Sequence, residues 1–119
     1  MPTLKSKNSI GITLGDPAGI GPEITAKALR KVGSRQKYHV IGHQAVFKKY
    51  FRTIPRNVSL IDCEIDQKST HKPGIASAKA SLAYLDKGIE LLKKREIRGL
   101  VTAPVCKENI YAFRKNFVG

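Results

Sequence analysis

Ile12-Thr13-Leu14-Gly15-Asp16-Pro17-Ala18-Gly19-Ile20-Gly21-Pro22-Glu23-Ile24 is the stretch on which the reading of this 119-residue chain turns. With Ser9, Ile10 and Gly11 ahead of it, the apolar and β-branched run to Leu14 predicts a short buried strand. Gly15 to Gly21 predicts a loop. Pro22 and Glu23 then open a helix: proline suits the first turn, where an N–H would be unpaired anyway, and Glu23 meets the positive end of the helix dipole. Ile24, Ala28, Leu29 and Val32 mark the expected apolar side of that helix, and Gly33 its stop.

The same alternation continues outward. Tyr38-His39-Val40-Ile41-Gly42 predicts a second strand, Gln44 to Phe51 a short basic helix, and Val58-Ser59-Leu60-Ile61 a third strand. Residues 62–73 read as a loop. Ala78, Leu82, Leu85, Ile89 and Leu92 recur at helical spacing and predict a long helix over 74–96, in which Gly88 is a costly residue that close packing would explain. Ile97 to Ala103 predicts a fourth strand, broken by Pro104. Strands separated by helices imply an α/β fold with a mostly parallel sheet and helices on both faces. The length suits one domain, residues 1–119.

Composition narrows the function classes. Apolar residues make up 41% and charged residues 26%, the balance of a globular protein rather than a disordered one. No apolar run approaches the ~18 residues of a membrane span, and the first eight residues lack the apolar segment of a secretory signal. Cys63 and Cys106 stand far apart with no Cys-x-x-Cys pair, so a reduced, cytoplasmic setting is expected. Twenty-two Lys and Arg against nine Asp and Glu give a net charge of +13, which favours polyanions of some kind. Along the chain, however, these cations are dispersed and no aromatic strip lies between them, so a solvated basic surface is expected ahead of nucleic-acid binding.

In an open parallel sheet a ligand sits beyond the carboxyl ends of the strands. Two loops satisfy that placement. In the first, Gly15, Gly19 and Gly21 allow close approach of backbone to a ligand, or serve only a tight turn; it matches neither the dinucleotide fingerprint nor the Walker loop. Asp16 reads equally as an Asx turn or as a group held toward a cofactor or cation. In the second loop, Val101 to Lys107, Thr102 can bond a substrate oxygen and Lys107 can act as a point charge for phosphate or carboxylate. His39, His43 and His71 are not expected to form a metal site, and Cys106 reads as an inert thiol.

Taken together, Ile12 to Ile24 and Leu100-Val101-Thr102-Ala103-Pro104-Val105-Cys106-Lys107 resemble the N-terminal portion of the 4-hydroxythreonine-4-phosphate dehydrogenases of pyridoxal phosphate (pyridoxine) biosynthesis. The resemblance runs from Ile10 to Gly119 and implies an incomplete isocitrate/isopropylmalate dehydrogenase-like fold. It implies an NAD-dependent oxidoreductase that oxidises and decarboxylates 4-phosphooxy-L-threonine to 3-amino-2-oxopropyl phosphate, assisted by a divalent metal (Zn, Mg or Co), in a homodimer. Gly15, Asp16, Gly19, Gly21, Thr102 and Lys107 would line its cleft. Family members are two to three times longer, and their metal ligands lie downstream of every residue here. Their Phe-x-Gly-His-Thr-Glu segment is met only as Phe117-Val118-Gly119, so the chain is expected to be an N-terminal fragment, inactive alone. A related dehydrogenase of another phosphorylated hydroxy acid, and a non-catalytic basic module that binds a polyanion, are the alternative readings.

Overall fold

The computed structural model describes residues 8–65 and 72–111, so His71, the extreme N-terminus and the Phe117-Val118-Gly119 ending lie outside the described residues. Four parallel strands form one sheet: β1 (Ile10–Thr13), β2 (Tyr38–Gly42), β3 (Val58–Asp62) and β4 (Gly99–Thr102), in the order β3-β2-β1-β4. The helices between them are α1 (Gly21–Lys31), α2 (Gln44–Tyr50) and α3 (Ile75–Lys93). A fourth helix was not foreseen: Lys107–Tyr111 forms a short helix, α4, directly after the second loop.

β1 lies between β2 and β4 and is the most enclosed strand, with Gly11, Ile12, Thr13 and Leu14 all buried. Side chains alternate across the sheet. Thr13, Ile41 and Leu100 face α3, whereas Leu14 and the backbone at Gly42 face Phe47 of α2. Helices therefore cover both faces, as the alternation of elements implies.

α3 buries a different stripe from the one its aliphatic residues mark. Ser77 and Ser81 are buried, and Ala80, Tyr84, Gly88 and Leu91 pack with the sheet residues, while Ile89 and Leu92 each remain 39% exposed. Ala78 and Leu82 are also buried, but under Ile110 of α4, with Leu85 and Val105 beside them. Small residues win the sheet side because they let the helix axis approach β1 and β4. A Cβ on Gly88 would stand 2.8 Å from Leu100 Cδ1 and 3.1 Å from Thr13 Cγ2. The buried serines meet their hydrogen-bonding needs locally: Ser81 donates to Ala78 O (2.8 Å) and Ser77 to Gly74 O (3.0 Å).

α1 shows the same shift. Gly21, Pro22, Thr25, Ala26 and Leu29 are buried, whereas Ile24, Ala28 and Val32 face solvent. The helix ends at Lys31 with Val32 extended, and Gly33 takes no left-handed conformation there. Glu23 sits in the first turn, with its carboxylate 3.1 Å from Lys27 Nζ.

Candidate functional site

Parallel pairing fixes which strand ends lie together. Thr13 of β1 pairs with Ile41 of β2 and Thr102 of β4, so the loops leaving β1 and β4 emerge side by side at the carboxyl edge. They are then bonded to each other. Ala103 N–H donates to Thr13 O (2.9 Å), and Asp16 N–H donates to Pro104 O (3.0 Å). On the other flank Leu14 N–H donates to Ile41 O (3.2 Å).

That joint consumes two of the three glycines. Gly15 has φ +72, and a Cβ there would lie 2.1 Å from Pro104 O and 2.7 Å from Ala103 O. A Cβ on Gly21 would lie 2.6 Å from Leu14 O and 3.0 Å from Ala103 Cβ. Both glycines are needed sterically, because protein backbone fills the space where a side chain would stand. Gly19 alone is exposed.

Asp16 is 5% exposed and its Oδ1 accepts the Ala18 N–H at 2.8 Å, while its carbonyl accepts the Gly19 N–H at 2.9 Å. This is an Asx turn, the first of the two roles open from sequence. Replacing the acceptor with alanine should cost about 1–2 kcal/mol, as for other lost local caps, whereas Asp16→Asn, which keeps an amide oxygen, should cost less than half of that in urea unfolding. Thr102 and Lys107 are exposed at the same edge. Lys107 is the first residue of α4, whose Ile110 is fully buried against Ala78 and Leu82, so α3 anchors the loop that carries both groups. α1 points its N-terminus at this edge with no side-chain cap on its first N–H groups, a setting that welcomes an anion.

Sequence reasoning missed a buried polar pair behind the joint. His43 and Tyr84 are both 0% exposed, and the Tyr84 hydroxyl is hydrogen-bonded to His43 Nδ1. The signal was present: on a strand, His39, Ile41 and His43 share one face, and His43 is still extended at φ −150. His39 and His43 therefore face the same way, but four positions of extended chain set them roughly 13 Å apart, too far to share an ion. Among the described residues no three His, Cys, Asp or Glu side chains come together as a metal group. They do not fit the divalent metal implied by the resemblance, and no step is routed through one.

Burial holds His43 below its ordinary value of 6.5, opposed by the charge of Asp62; burial and Lys37 do the same to His39, opposed by Glu96. The neutral form is thus the folded form. Stability should be complete above pH 6.5 and decline as the pH falls below it, because the unfolded chain takes up these protons first. Each histidine can contribute at most ~1.4 kcal/mol per pH unit. His43→Gln is expected to flatten the urea midpoint between pH 6.5 and 5, and an unchanged slope would show that His43 does not titrate with unfolding. Burial also pushes Cys63 up to about 11, so its thiol stays protonated at neutral pH, and both cysteines are free.

A cavity of about 600 Å³ lies elsewhere, along the open edge of the sheet between α2 and β3, with Phe47, Phe51 and Leu60 as its floor and Lys48 and Arg52 at its rim. It borders neither Thr102 nor Lys107. No helix among the described residues is long and apolar enough to cross a membrane.

The comparison that decides the family covers almost the whole chain: residues 12–119 match the model of the pyridoxal phosphate biosynthetic protein PdxA. The chain belongs to this family. A 4-hydroxythreonine-4-phosphate dehydrogenase of Zymomonas mobilis is 36% identical over 92% of the chain and 38% of its own length. A Clostridium botulinum protein provisionally named a D-threonate 4-phosphate dehydrogenase is 30% identical over 98% of the chain and 42% of its own length. The crystal structure of a 4-hydroxythreonine-4-phosphate dehydrogenase from Burkholderia phymatum superposes with a TM-score of 0.79 at 22% identity, over 94% of the chain and 41% of that structure, and shows the shared fold. The chain thus spans about two fifths of the length of these PdxA relatives, and its four-stranded sheet is part of a larger PdxA fold.

Proposed function

We propose that this chain supplies the N-terminal half of the active site of an NAD-dependent dehydrogenase for a phosphorylated hydroxy acid, 4-hydroxythreonine 4-phosphate first among candidates. The observation that carries this reading is the joint itself: the Asp16–Pro104 and Ala103–Thr13 hydrogen bonds hold both family motifs at one carboxyl edge. NAD supplies the hydride acceptor when bound. The residues here bind and orient. Lys107 pairs with a substrate phosphate or carboxylate, the Thr102 hydroxyl donates to a substrate oxygen, and the free N–H groups at the start of α1 face the anion. Asp16 fixes the loop rather than reacting. Gly15 and Gly21 let the two loops close on each other, and Gly19 stays open to the ligand side. A cytoplasmic setting, which the two free thiols support, and completion of the cleft by a second subunit belong to the same reading.

With two fifths of the relatives' length, the 119 residues on their own are expected to form no NADH from 4-hydroxythreonine 4-phosphate, NAD and a divalent cation, followed at 340 nm. Turnover would show that these residues contain a complete site. Binding is the sharper test. A half-site with one ammonium and one hydroxyl should bind the substrate with a Kd on the order of millimolar by calorimetry, and Lys107→Ala should weaken it about ten-fold. Equal affinity in the variant would remove Lys107 from the site. The Clostridium botulinum relative favours D-threonate 4-phosphate as a second substrate. Tighter binding of that compound would select it.

A further inference from the structure

The basic residues are dispersed along the sequence, but the topology returns them to one place. Every strand starts at the same end of a parallel sheet, and α1 and α3 finish there. Lys31, Arg35 and Lys37 lie between the end of α1 and the start of β2, Arg56 just before β3, and Arg95 and Arg98 between α3 and β4; all six are exposed. Hydrogen bonds knit these segments together. Asn57 Nδ2 donates to Gly33 O (3.3 Å) and Gln36 O (2.8 Å), Arg98 Nη2 donates to Gln36 Oε1 (3.2 Å), and Arg98 N–H donates to Ser9 O (2.9 Å). Ion pairs neutralise other lysines, Lys27 by Glu23 and, at this end, Lys94 by Glu90, but none is formed by these six among the described residues. Two acids lie toward this end, Glu96 and, in the last turn of α3, Glu90, which is taken up by Lys87 and Lys94, whereas Asp16, Glu23, Asp62, Glu64 and Glu108 all lie toward the carboxyl edge. The molecule is therefore electrically polar, with its cationic end opposite the candidate active site.

We propose that this amino-terminal end of the sheet is a docking surface for the phosphate backbone of duplex nucleic acid, bound without regard to sequence. The inference stands apart from the proposed dehydrogenase site. Four of the six groups are guanidiniums, whose paired donors match phosphate oxygens. The rings near this end, Tyr38, Tyr50 and Phe51, are buried or mostly buried and offer no stacking platform, so contacts to a paired backbone are favoured over unstacked single strands. Uncompensated cations arranged across the end of a rigid sheet bind chiefly through release of counterions.

The test is fluorescence anisotropy of a labelled 20-base-pair duplex of random sequence with the full chain. At 50 mM NaCl the duplex should bind, and with about 4 to 6 phosphates engaged the affinity should fall about 100-fold or more by 200 mM. The triple variant Lys31→Glu, Arg35→Glu, Arg56→Glu should lose about ten-fold or more at 50 mM. A variant with the same change in net charge on α3 and its approach, Lys72→Glu, Lys79→Glu, Lys87→Glu, should lose less than half as much on a logarithmic scale. Circular dichroism establishes that both remain folded. Equal losses would show that bulk charge, not this face, does the binding. Absence of duplex binding at 50 mM, or binding confined to vesicles of phosphatidylcholine and phosphatidylserine, would overturn the proposal.

Discussion

Gly15→Ala is expected to remove about 3 kcal/mol or more of folding stability, a large share of the 5–15 kcal/mol typical of a domain. Two costs add. A side chain at φ +72 carries roughly 1–2 kcal/mol of backbone strain. The new Cβ would also lie 2.1 Å from Pro104 O, a backbone atom that no rotamer change can move aside. Relief requires the loops to part, which breaks the Asp16–Pro104 bond. Gly33→Ala is the matched control, since nothing lies within 4 Å of its would-be Cβ and its φ is ordinary. It should change stability by less than about 0.5 kcal/mol. Urea unfolding followed by far-UV circular dichroism measures both. Coincident midpoints for the two variants would mean that the loops are not in contact.

Tyr84→Ala is expected to cost about 3–5 kcal/mol, the range for deleting a buried ring and leaving a cavity. The ring is fully enclosed between α3 and the sheet, and its hydroxyl meets His43 at the end of β2. Tyr84→Phe keeps the ring and removes only the hydroxyl, so it isolates the polar part. That variant should cost about 1–3 kcal/mol, because a buried imidazole nitrogen loses its partner. A Tyr84→Phe protein as stable as the parent would show that the imidazole is satisfied from elsewhere. The same variant should flatten the decline of stability below pH 6.5 only if the hydroxyl helps to keep His43 neutral, because the folded-state pKa then rises toward the unfolded value.

The order of elements was legible because strands rich in Ile, Val and Thr alternate with punctuating glycine and proline. β2 was read to the residue and α2 to within one. The buried faces of the helices were less legible. Hydrophobicity marks Ile24 and Val32 on α1 and Ile89 and Leu92 on α3, yet the buried residues include Thr25, Ala26, Ser77, Ser81 and Gly88. Close approach of helix to sheet selects small side chains, and no periodicity of large apolar residues reports that preference. α4 escaped notice because five residues are too few to show a helical period; its register depends on Ile110 finding Ala78 and Leu82, which are distant in sequence.

The candidate site was legible as two motifs but not as a joint. Nothing in the spacing of Gly15 and Pro104 reveals that one touches the other. Once parallel pairing sets Thr13 beside Thr102, the contact follows from geometry, and so does the division of labour among the glycines. The burial of His43 was not foreseen. A histidine ending a strand that is covered on that face by a tyrosine-bearing helix is enclosed by tertiary packing alone.

The most direct measurement is a titration of the isotope-labelled chain with 4-hydroxythreonine 4-phosphate, read as amide shifts by nuclear magnetic resonance. The corner where β1 and β4 end should respond first, with the largest shifts at Gly19, Gly21, Thr102 and Lys107. A response centred on the arginines at the far end of the sheet, or in the groove beside Phe47, would place the anion elsewhere and contradict the assignment of that corner.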